Sequence, residues 1–166
     1  MLAFTQPSEH GRGIIADLLR KSYAGMASSD PLYWRGEEEE WAQFDRDAFE
    51  NPETVGKCVF VSMFEDTVVG LGSFDPRQAP ECGIVGHNCI LPEFRGRGFG
   101  KLQIEEICAR LRTIGCKRAV VSTGDHPFFV PAQRMYISCG FEETRRNIDG
   151  PRPSNLYKLI EYEKIL

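Results

Sequence analysis

The chain has 166 residues, a length that suits one domain with a single hydrophobic core. Hydrophobic residues make up 42% and charged residues 27%, which excludes the composition of a disordered protein. The formal net charge of −4 argues against a general nucleic-acid binder, which needs a basic face. We therefore expect one folded domain over residues 1–166 and no nucleic-acid partner.

The cysteines do not form a metal-binding or disulfide pattern. All six are isolated, without a CxxC pair, so we expect no metal and no disulfide framework. The first residues lack the basic start and apolar run of a signal peptide, and no apolar stretch reaches the roughly 20 residues that a bilayer requires. We expect a cytoplasmic protein with no membrane partner.

The first third of the chain favours helices. Residues 2–5 predict a short strand, and a helix ending near Gly25 follows, because apolar residues recur at helical spacing. That apolar stripe comprises Ile14, Ile15, Leu18, Leu19 and Tyr23. Residues 26–36 mix Ser, Asp, Pro and Gly with aromatics and indicate a loop. The acidic run 37–40 then predicts the start of a second helix, where the helix dipole favours carboxylates.

The remaining elements alternate between strands and helices. Runs rich in β-forming residues predict strands over 58–64, 68–74, 83–91, 118–123, 141–148 and 156–165. Glu65 and Asp66 separate the first two runs and predict a hairpin. A helix closed by Gly115 follows the glycines near residue 100, and a shorter helix occupies 132–138. The predicted apolar face of the longer helix comprises Phe99, Leu102, Ile107, Leu111 and Ile114. This order predicts an α/β domain with a mixed sheet.

Three glycines alternate between the strand ending near residue 91 and the helix that follows. Glycine adopts positive φ and has no side chain, so successive N–H groups of such a turn converge on one anion. The helix N-terminus adds unpaired N–H groups, and Arg95, Arg97 and Lys101 add positive charge. Residues 95–101 therefore favour a pyrophosphate site, although glycines also serve plain tight turns.

Two common phosphate motifs do not fit this turn. Leu102 stands where a P-loop has Ser or Thr, and Arg95 stands where its first glycine belongs. A dinucleotide fingerprint would need glycine in place of Lys101 or Gln103. Nucleoside triphosphate hydrolysis and NAD-dependent chemistry are therefore disfavoured.

The segment from Ile90 to Gly100, ILPEFRGRGFG, resembles the acetyl-CoA signature of the GNAT superfamily of N-acetyltransferases, Gln/Arg-x-x-Gly-x-Gly/Ala after a Val-x-Pro strand end. A later segment, Ala132-x-x-x-Tyr136-x-x-x-Gly140-Phe141, is similar to the second landmark of the family. The resemblance implies a GNAT-type α/β fold. Such a fold has a mixed, mostly antiparallel sheet of six to seven strands, about four helices and a splayed strand pair for CoA.

The resemblance also implies which residues bind and react. Ile90 and Leu91 would bind the pantetheine arm through their backbones, and Tyr136 would protonate the departing CoA thiolate as a general acid. A tyrosine in this position also suits a hydrophobic core. The family usually has Asn where Phe129 stands, so that contact with the cofactor arm is absent or supplied elsewhere. The pyrophosphate would be held by Arg95, Gly96, Arg97, Gly98, Phe99, Gly100 and Lys101.

The general base has no carboxylate candidate on the strand before the turn, where many family members have a glutamate. His87 is a candidate because its unperturbed pKa is near neutral, with a purely structural histidine as the alternative. Water held by Asn88, or the side chains of Asp125 or His126, are rival candidates. Cys89 is an alternative, covalent nucleophile.

We expect an acetyl-CoA-dependent N-acyltransferase that moves an acetyl group to the amine of a small molecule in a ternary complex. The acceptor would be bounded by residues 26–34, 77–81 and 125–131. A peptide or protein amine is an alternative acceptor. A non-catalytic CoA-binding regulatory module and a binding protein for another phosphorylated ligand are alternative functions. By fold-level analogy, the final strands suggest a homodimer.

Overall fold

The computed structural model describes residues 1–151 and 156–166. Over these residues it contains four α-helices and seven strands, so the predicted α/β class is confirmed. The helices are α1 (Ile14–Ala27), α2 (Pro31–Glu50), α3 (Phe99–Ile114) and α4 (Val130–Ser138). The strands are β1 (Leu2–Thr5), β2 (Val59–Phe64), β3 (Thr67–Asp75), β4 (Gly83–Ile90), β5 (Arg118–Gly124), β6 (Glu142–Ile148) and β7 (Leu159–Ile165).

The strands form one seven-stranded sheet in the order β1-β2-β3-β4-β5-β7-β6. Strands β1, β2 and β3 pair antiparallel in sequence, and β7 pairs antiparallel with both β5 and β6. Strand β4 runs parallel to β5, where Gly83 pairs with Ala119 and Ile84 pairs with Val120. The sheet is therefore mixed and mostly antiparallel, as the resemblance predicts.

The chain divides into two compact units. The first comprises Met1–Ser73 and His87–Gln103, and the second comprises Phe74–Gly86 and Ile104–Leu166. The first unit buries apolar residues of α1, β2 and β3, among them Ile15, Leu19, Phe60, Val61 and Leu71. The second buries residues of α3, β5 and β7, among them Ile107, Leu111, Val121, Ile160 and Tyr162. A single domain over residues 1–166 stays a prediction.

The loop predicted over residues 26–36 is confined to residues 28–30, since Met26 and Ala27 belong to α1. Helix α2 begins at Pro31, because the Asp30 carboxylate accepts the Tyr33 N–H at 3.2 Å and proline suits the first helical position. The acidic run 37–40 consequently lies inside α2 instead of opening it. Trp34 and Trp41, two turns apart, are both buried, so one face of α2 packs where a loop was expected.

Two other sequence-based details need correction. Helix α1 continues through Gly25 to Ala27, since the burial of Met26 compensates for the low helix propensity of glycine. On α3, Leu102 and Ile114 are exposed, although the predicted apolar face included them. The face that α3 buries is rotated and contains Gln103, Ile104, Ile107, Cys108 and Leu111.

The hairpin prediction is confirmed. Strands β2 and β3 flank Glu65 and Asp66, which both adopt positive φ, 48° and 62°. Two consecutive left-handed residues match the twist of the flanking strands. Within residues 1–151 and 156–166, no helix has the length and apolar character needed to cross a bilayer.

Candidate active site

The glycine-rich turn lies between a single 3-10 turn, Pro92–Phe94, and the first residue of α3. Gly96 and Gly98 adopt φ of 76° and 81°, a region that other L-residues rarely occupy. A Cβ built on either glycine would meet no atom within 4 Å. The turn is therefore an open cradle, and the first N–H groups of α3, which a helix leaves unpaired, lie at its edge.

The first residue of α3 anchors this cradle to the sheet. Phe99 is buried and packs against Val69 and Ile90. Its ring centroid lies 5.0 Å from that of Phe64 on β2. The start of α3 is thus held by apolar packing, and the glycines N-terminal to it have an open side.

The three cations of the turn do different things. Arg97 and Lys101 are exposed, and the Arg97 guanidinium lies 5.4 Å from the centre of the Phe94 ring. Arg95 instead donates from Nε to the Ile90 carbonyl at 3.0 Å and from Nη2 to the Ser22 carbonyl at 2.6 Å. Its side chain therefore ties α1 to the end of β4, while Arg97 and Lys101 carry exposed positive charges beside the glycines. Sequence reasoning missed this tie because Ser22 is distant in the chain.

Neighbouring side chains of β4 contact different helices. The His87 ring lies 5.8 Å from the Phe44 ring of α2, whereas the Asn88 Nδ2 donates to the Gly100 carbonyl of α3 at 3.4 Å. Alternation along a strand places Cys89 on the same side as His87. His87 and Asn88 thus face opposite sides of β4.

His87 is half-buried, and its backbone N–H donates to the Ser73 hydroxyl at 2.8 Å. Burial lowers the pKa of His87 to about 4, although the negative charge of Glu40 opposes this shift. The imidazole is therefore neutral at pH 7. It has a lone pair that can accept a proton, but the imidazolium that forms gives up this proton readily at pH 7 because its pKa is about 4.

Cys89 does not suit covalent catalysis. Its side chain is buried, and burial raises the pKa of the thiol to about 11. The thiolate is the nucleophilic form, and it is scarcely populated at neutral pH. The alternative mechanism through Cys89 is therefore disfavoured.

Tyr136 belongs to the second unit, where it is buried on α4. Its ring centroid lies 5.8 Å from that of Phe141 and 6.1 Å from that of Tyr162. These contacts fix the orientation of the ring. Both proposed roles, proton donor and core residue, agree with this packing, so a functional test must separate them.

Phe129, which replaces the usual asparagine of the family, packs against the end of β5. Its ring lies 5.1 Å from the Tyr157 ring, and a Cβ on Gly124 would come within 2.5 Å of it. Glycine at position 124 is what leaves room for this aromatic side chain. Phe129 therefore has a packing role in this unit.

The two remaining candidate bases are engaged in local hydrogen bonds. The Asp125 carboxylate accepts the Lys158 N–H at 2.9 Å, and the His126 Nδ1 accepts the Phe128 N–H at 3.1 Å. Both interactions shape the loop after β5. Among residues 1–151 and 156–166, no group of three or more metal-ligating side chains comes together.

A polar residue that the sequence analysis did not single out lies beside the cradle. Gln103 is completely buried on α3 and hydrogen-bonded to β2, β3 and β4. The signal was available: a glutamine one turn after Phe99 and one turn before Ile107 interrupts an apolar helix face.

The structure thus combines a mixed α/β sheet with an open glycine turn at a helix N-terminus. A model of the acetyltransferase (GNAT) family matches residues 15–141. This match spans more than half of the chain, and the chain belongs to the GNAT family. Among curated proteins, none matches this sequence.

Solved structures share the fold at low sequence identity. A Desulfovibrio desulfuricans protein assigned to the GNAT family as an acetyltransferase is 16% identical, covers 99% of both chains and superposes with a TM-score of 0.74. The IAA acetyltransferase of Bacillus cereus is 16% identical over 100% of both chains, with a TM-score of 0.67.

A third structure, a GNAT-family acetyltransferase of Elizabethkingia anophelis, contains bound acetyl-CoA. It is 16% identical, covers 65% of this chain and 75% of its own, and has a TM-score of 0.57. Structural neighbours of this chain thus include a protein that binds acetyl-CoA.

Proposed function

We propose that this chain is an acetyl-CoA-dependent N-acyltransferase that acetylates the amine of a small molecule by direct attack in a ternary complex. The observation that carries the proposal is the open cradle at Gly96 and Gly98, followed by the N-terminus of α3 and flanked by the exposed cations Arg97 and Lys101. Convergent N–H groups and two full positive charges suit a pyrophosphate. Membership of the GNAT family supports the same ligand.

The cosubstrate would contact β4 and the turn. Residues Arg95 to Lys101 would hold the pyrophosphate, with the side-chain charge coming from Arg97 and Lys101. The Leu91 N–H donates to Val69 of β3 at 2.9 Å, so strand alternation directs the Ile90 N–H away from β3. We assign the Ile90 N–H to the thioester and pantetheine arm. Leu91 contributes through its carbonyl, which also accepts the Phe94 N–H at 2.9 Å.

Acetyl-CoA supplies the acetyl group as a thioester. In the proposed step the acceptor nitrogen forms a bond to the thioester carbon, the carbon–sulfur bond breaks, and the Tyr136 hydroxyl gives its proton to the sulfur. The Ile90 N–H donates to the oxygen on which negative charge develops. His87 accepts the proton that leaves the amine and passes it to solvent, because its low pKa does not let it keep that proton at pH 7.

The start of α2 lies in the segment that we propose as one boundary of the acceptor site, residues 26–34. Trp34, the last residue of this segment, is buried together with Trp41 on one face of α2. The Tyr23 ring of α1 stacks on both indoles, with centroid distances of 5.7 Å and 5.6 Å. This aromatic cluster therefore holds the end of the segment in place by packing α1 against α2.

The experiment pairs calorimetry of CoA binding with a thiol-release assay over a panel of amines. Gly98→Asp places a carboxylate in the cradle and should weaken CoA binding by roughly 100-fold through charge repulsion and steric exclusion. Gly115→Asp is the matched control, since Gly115 also has positive φ, 95°, and open space around its Cβ position.

The control variant should bind CoA as the unaltered protein does. Wild-type affinity in Gly98→Asp would overturn the pyrophosphate assignment. CoA binding without thiol release for any amine would favour the alternative of a non-catalytic CoA-binding module. Release with peptides alone would favour a protein amine as the acceptor.

A further inference from the structure

The inner face of α3 buries a glutamine among apolar side chains. Gln103 is 0% exposed, as are Ile104 and Ile107 on the same helix. Burying a carboxamide is unfavourable unless its donors and acceptor find partners. The partners of Gln103 therefore show what the residue does.

The Gln103 side chain joins three strands. Its Oε1 accepts the Ser62 hydroxyl of β2 at 2.6 Å, and its Nε2 donates to the Leu71 carbonyl of β3 at 3.2 Å. Nε2 also donates to the Asn88 Oδ1 of β4 at 2.5 Å. A backbone carbonyl only accepts, so the NH₂ group of Gln103 must face Leu71. The chemistry of its neighbours thus sets the orientation of the amide.

The Asn88 side chain continues this chain of hydrogen bonds. Its Nδ2 donates to the Gly100 carbonyl, and its Oδ1 accepts from Gln103. Gly100 is the third glycine of the turn and lies in the first turn of α3. The donors therefore run from Ser62 through Gln103 and Asn88 to Gly100, and they connect the sheet to the cradle.

Tight packing leaves the glutamine little freedom. A Cβ on Gly70 would lie 2.3 Å from the Cys89 carbonyl oxygen and 2.9 Å from the Gln103 Oε1. The backbone of β3 therefore approaches β4 and the glutamine more closely than any side chain would permit. Next to this contact, the register between β2 and β3 shifts between Ser62 and Met63. The carboxamide of Gln103 is held from several sides.

We propose that Gln103 is a positioning residue for acetyl-CoA: its buried amide and the Asn88 side chain lock β4 to the first turn of α3. This inference rests on the proposed function, in which Ile90 on β4 and the turn before α3 hold two parts of the same cosubstrate. If β4 and the turn are already fixed in the free protein, less conformational entropy is lost when the cosubstrate binds. The network touches no reacting atom, so it acts on affinity more than on the chemical step.

The test compares Gln103→Leu with the unaltered protein. Leucine has a similar volume but cannot donate to Asn88 or Leu71, so the Kd for CoA and the KM for acetyl-CoA should rise about tenfold. The kcat should stay within about twofold, because the lost interaction is made equally in the ground state and the transition state. Asn88→Ala breaks the same chain at a half-buried position, retains the core and should raise Kd in the same direction.

Ile104→Val is the matched control. It alters the next residue on α3, which is equally buried, without touching the network. Its melting temperature should fall, but its Kd for CoA should not change. The double variant Gln103→Leu with Asn88→Ala should have a Kd for CoA no higher than that of the more affected single variant. The two substitutions break the same connected network, so their effects should not add.

Two failures are distinguishable. If the unaltered protein binds CoA and Gln103→Leu binds it as tightly as Ile104→Val does, the positioning role is wrong while the proposed function stands. If the unaltered protein does not bind CoA, the proposed function fails and the inference fails with it. A fall in kcat with unchanged KM would also overturn the inference.

Discussion

At the scale of single residues, we predict that His87 makes the stability of the protein depend on pH. Burial lowers its pKa from 6.5 to about 4 in the folded state, whereas the unfolded chain titrates near 6.5. Between these values the unfolded state binds a proton that the folded state does not. The free energy of unfolding should therefore decrease, by on the order of 2 kcal/mol, as pH falls from 6.5 to 4.

Urea denaturation at several pH values from 7.5 to 4.5 measures this effect. His87→Gln should lose the part of the pH dependence that belongs to the imidazole and show a shallower decline toward acid. A variant whose decline runs parallel to that of the unaltered protein would show that His87 does not cause it.

Tyr136 offers a second residue-scale test. Tyr136→Phe removes the proposed proton donor but keeps the ring, so kcat should fall roughly 100-fold while the Kd for CoA stays unchanged. Tyr162→Phe is the control, since Tyr162 is also buried and its ring neighbours that of Tyr136. Steady-state kinetics and calorimetry of both variants provide the comparison. Equal losses in kcat and affinity, or equal effects of the two substitutions, would indicate a packing role.

At the scale of secondary-structure elements, α1 is capped by a side chain from α2. The buried Asp45 carboxylate accepts the N–H of Gly13 at 2.8 Å and that of Ile15 at 2.9 Å. The N–H groups at a helix N-terminus have no acceptor within the helix, and Asp45 supplies one. Its negative charge also interacts favourably with the positive end of the helix dipole. Helix α1 is thus joined to α2 through Asp45 and to the end of β4 through Arg95.

Asp45→Ala should lower the free energy of unfolding by about 2 kcal/mol, because it removes the cap and leaves the buried Ile15 N–H without its acceptor. Asp47→Ala is the control on the same helix, where the carboxylate accepts the exposed Gln43 amide at 2.7 Å. Chemical denaturation should show a small loss for Asp47→Ala. Losses of similar size would mean that the cap does not stabilise α1.

Element boundaries were predictable where the signal is local. The Glu65–Asp66 hairpin and the Gly115 helix end follow from neighbouring residues, and both are present. The start of α2 was also encoded locally, in the Asp30–Pro31 cap, but the surrounding Ser and Gly favoured a loop. The continuation of α1 past Gly25 could not be predicted, because the compensating burial of Met26 is tertiary.

At the scale of the whole molecule, the glycine turn and the family were predictable, while the support around the turn was not. The pattern Arg-x-x-Gly-x-Gly depends on spacing alone and is visible in the sequence. The Arg95 tie and the Gln103 network depend on carbonyls of Ser22 and Leu71, which are far away in the chain. Such contacts require the folded arrangement.

The same limit applies to the chemistry of β4. The sequence offers His87, Asn88 and Cys89 as reactive candidates without separating them. The fold directs His87 and Asn88 to opposite faces, and burial moves the pKa values of His87 and Cys89 to about 4 and about 11. Residue types alone do not contain these environments.

The central claim is that this chain binds acetyl-CoA through the glycine cradle, and a thermal-shift titration with acetyl-CoA, CoA and ATP tests it most directly. A ligand present at 100 times its Kd stabilises the folded state by about 2.7 kcal/mol, which corresponds to roughly 5 to 10 °C for a chain of this size. We predict such a shift with acetyl-CoA and with CoA, and a much smaller one with ATP. The claim would be contradicted if neither acetyl-CoA nor CoA shifted the melting temperature at millimolar concentration, or if ATP shifted it equally.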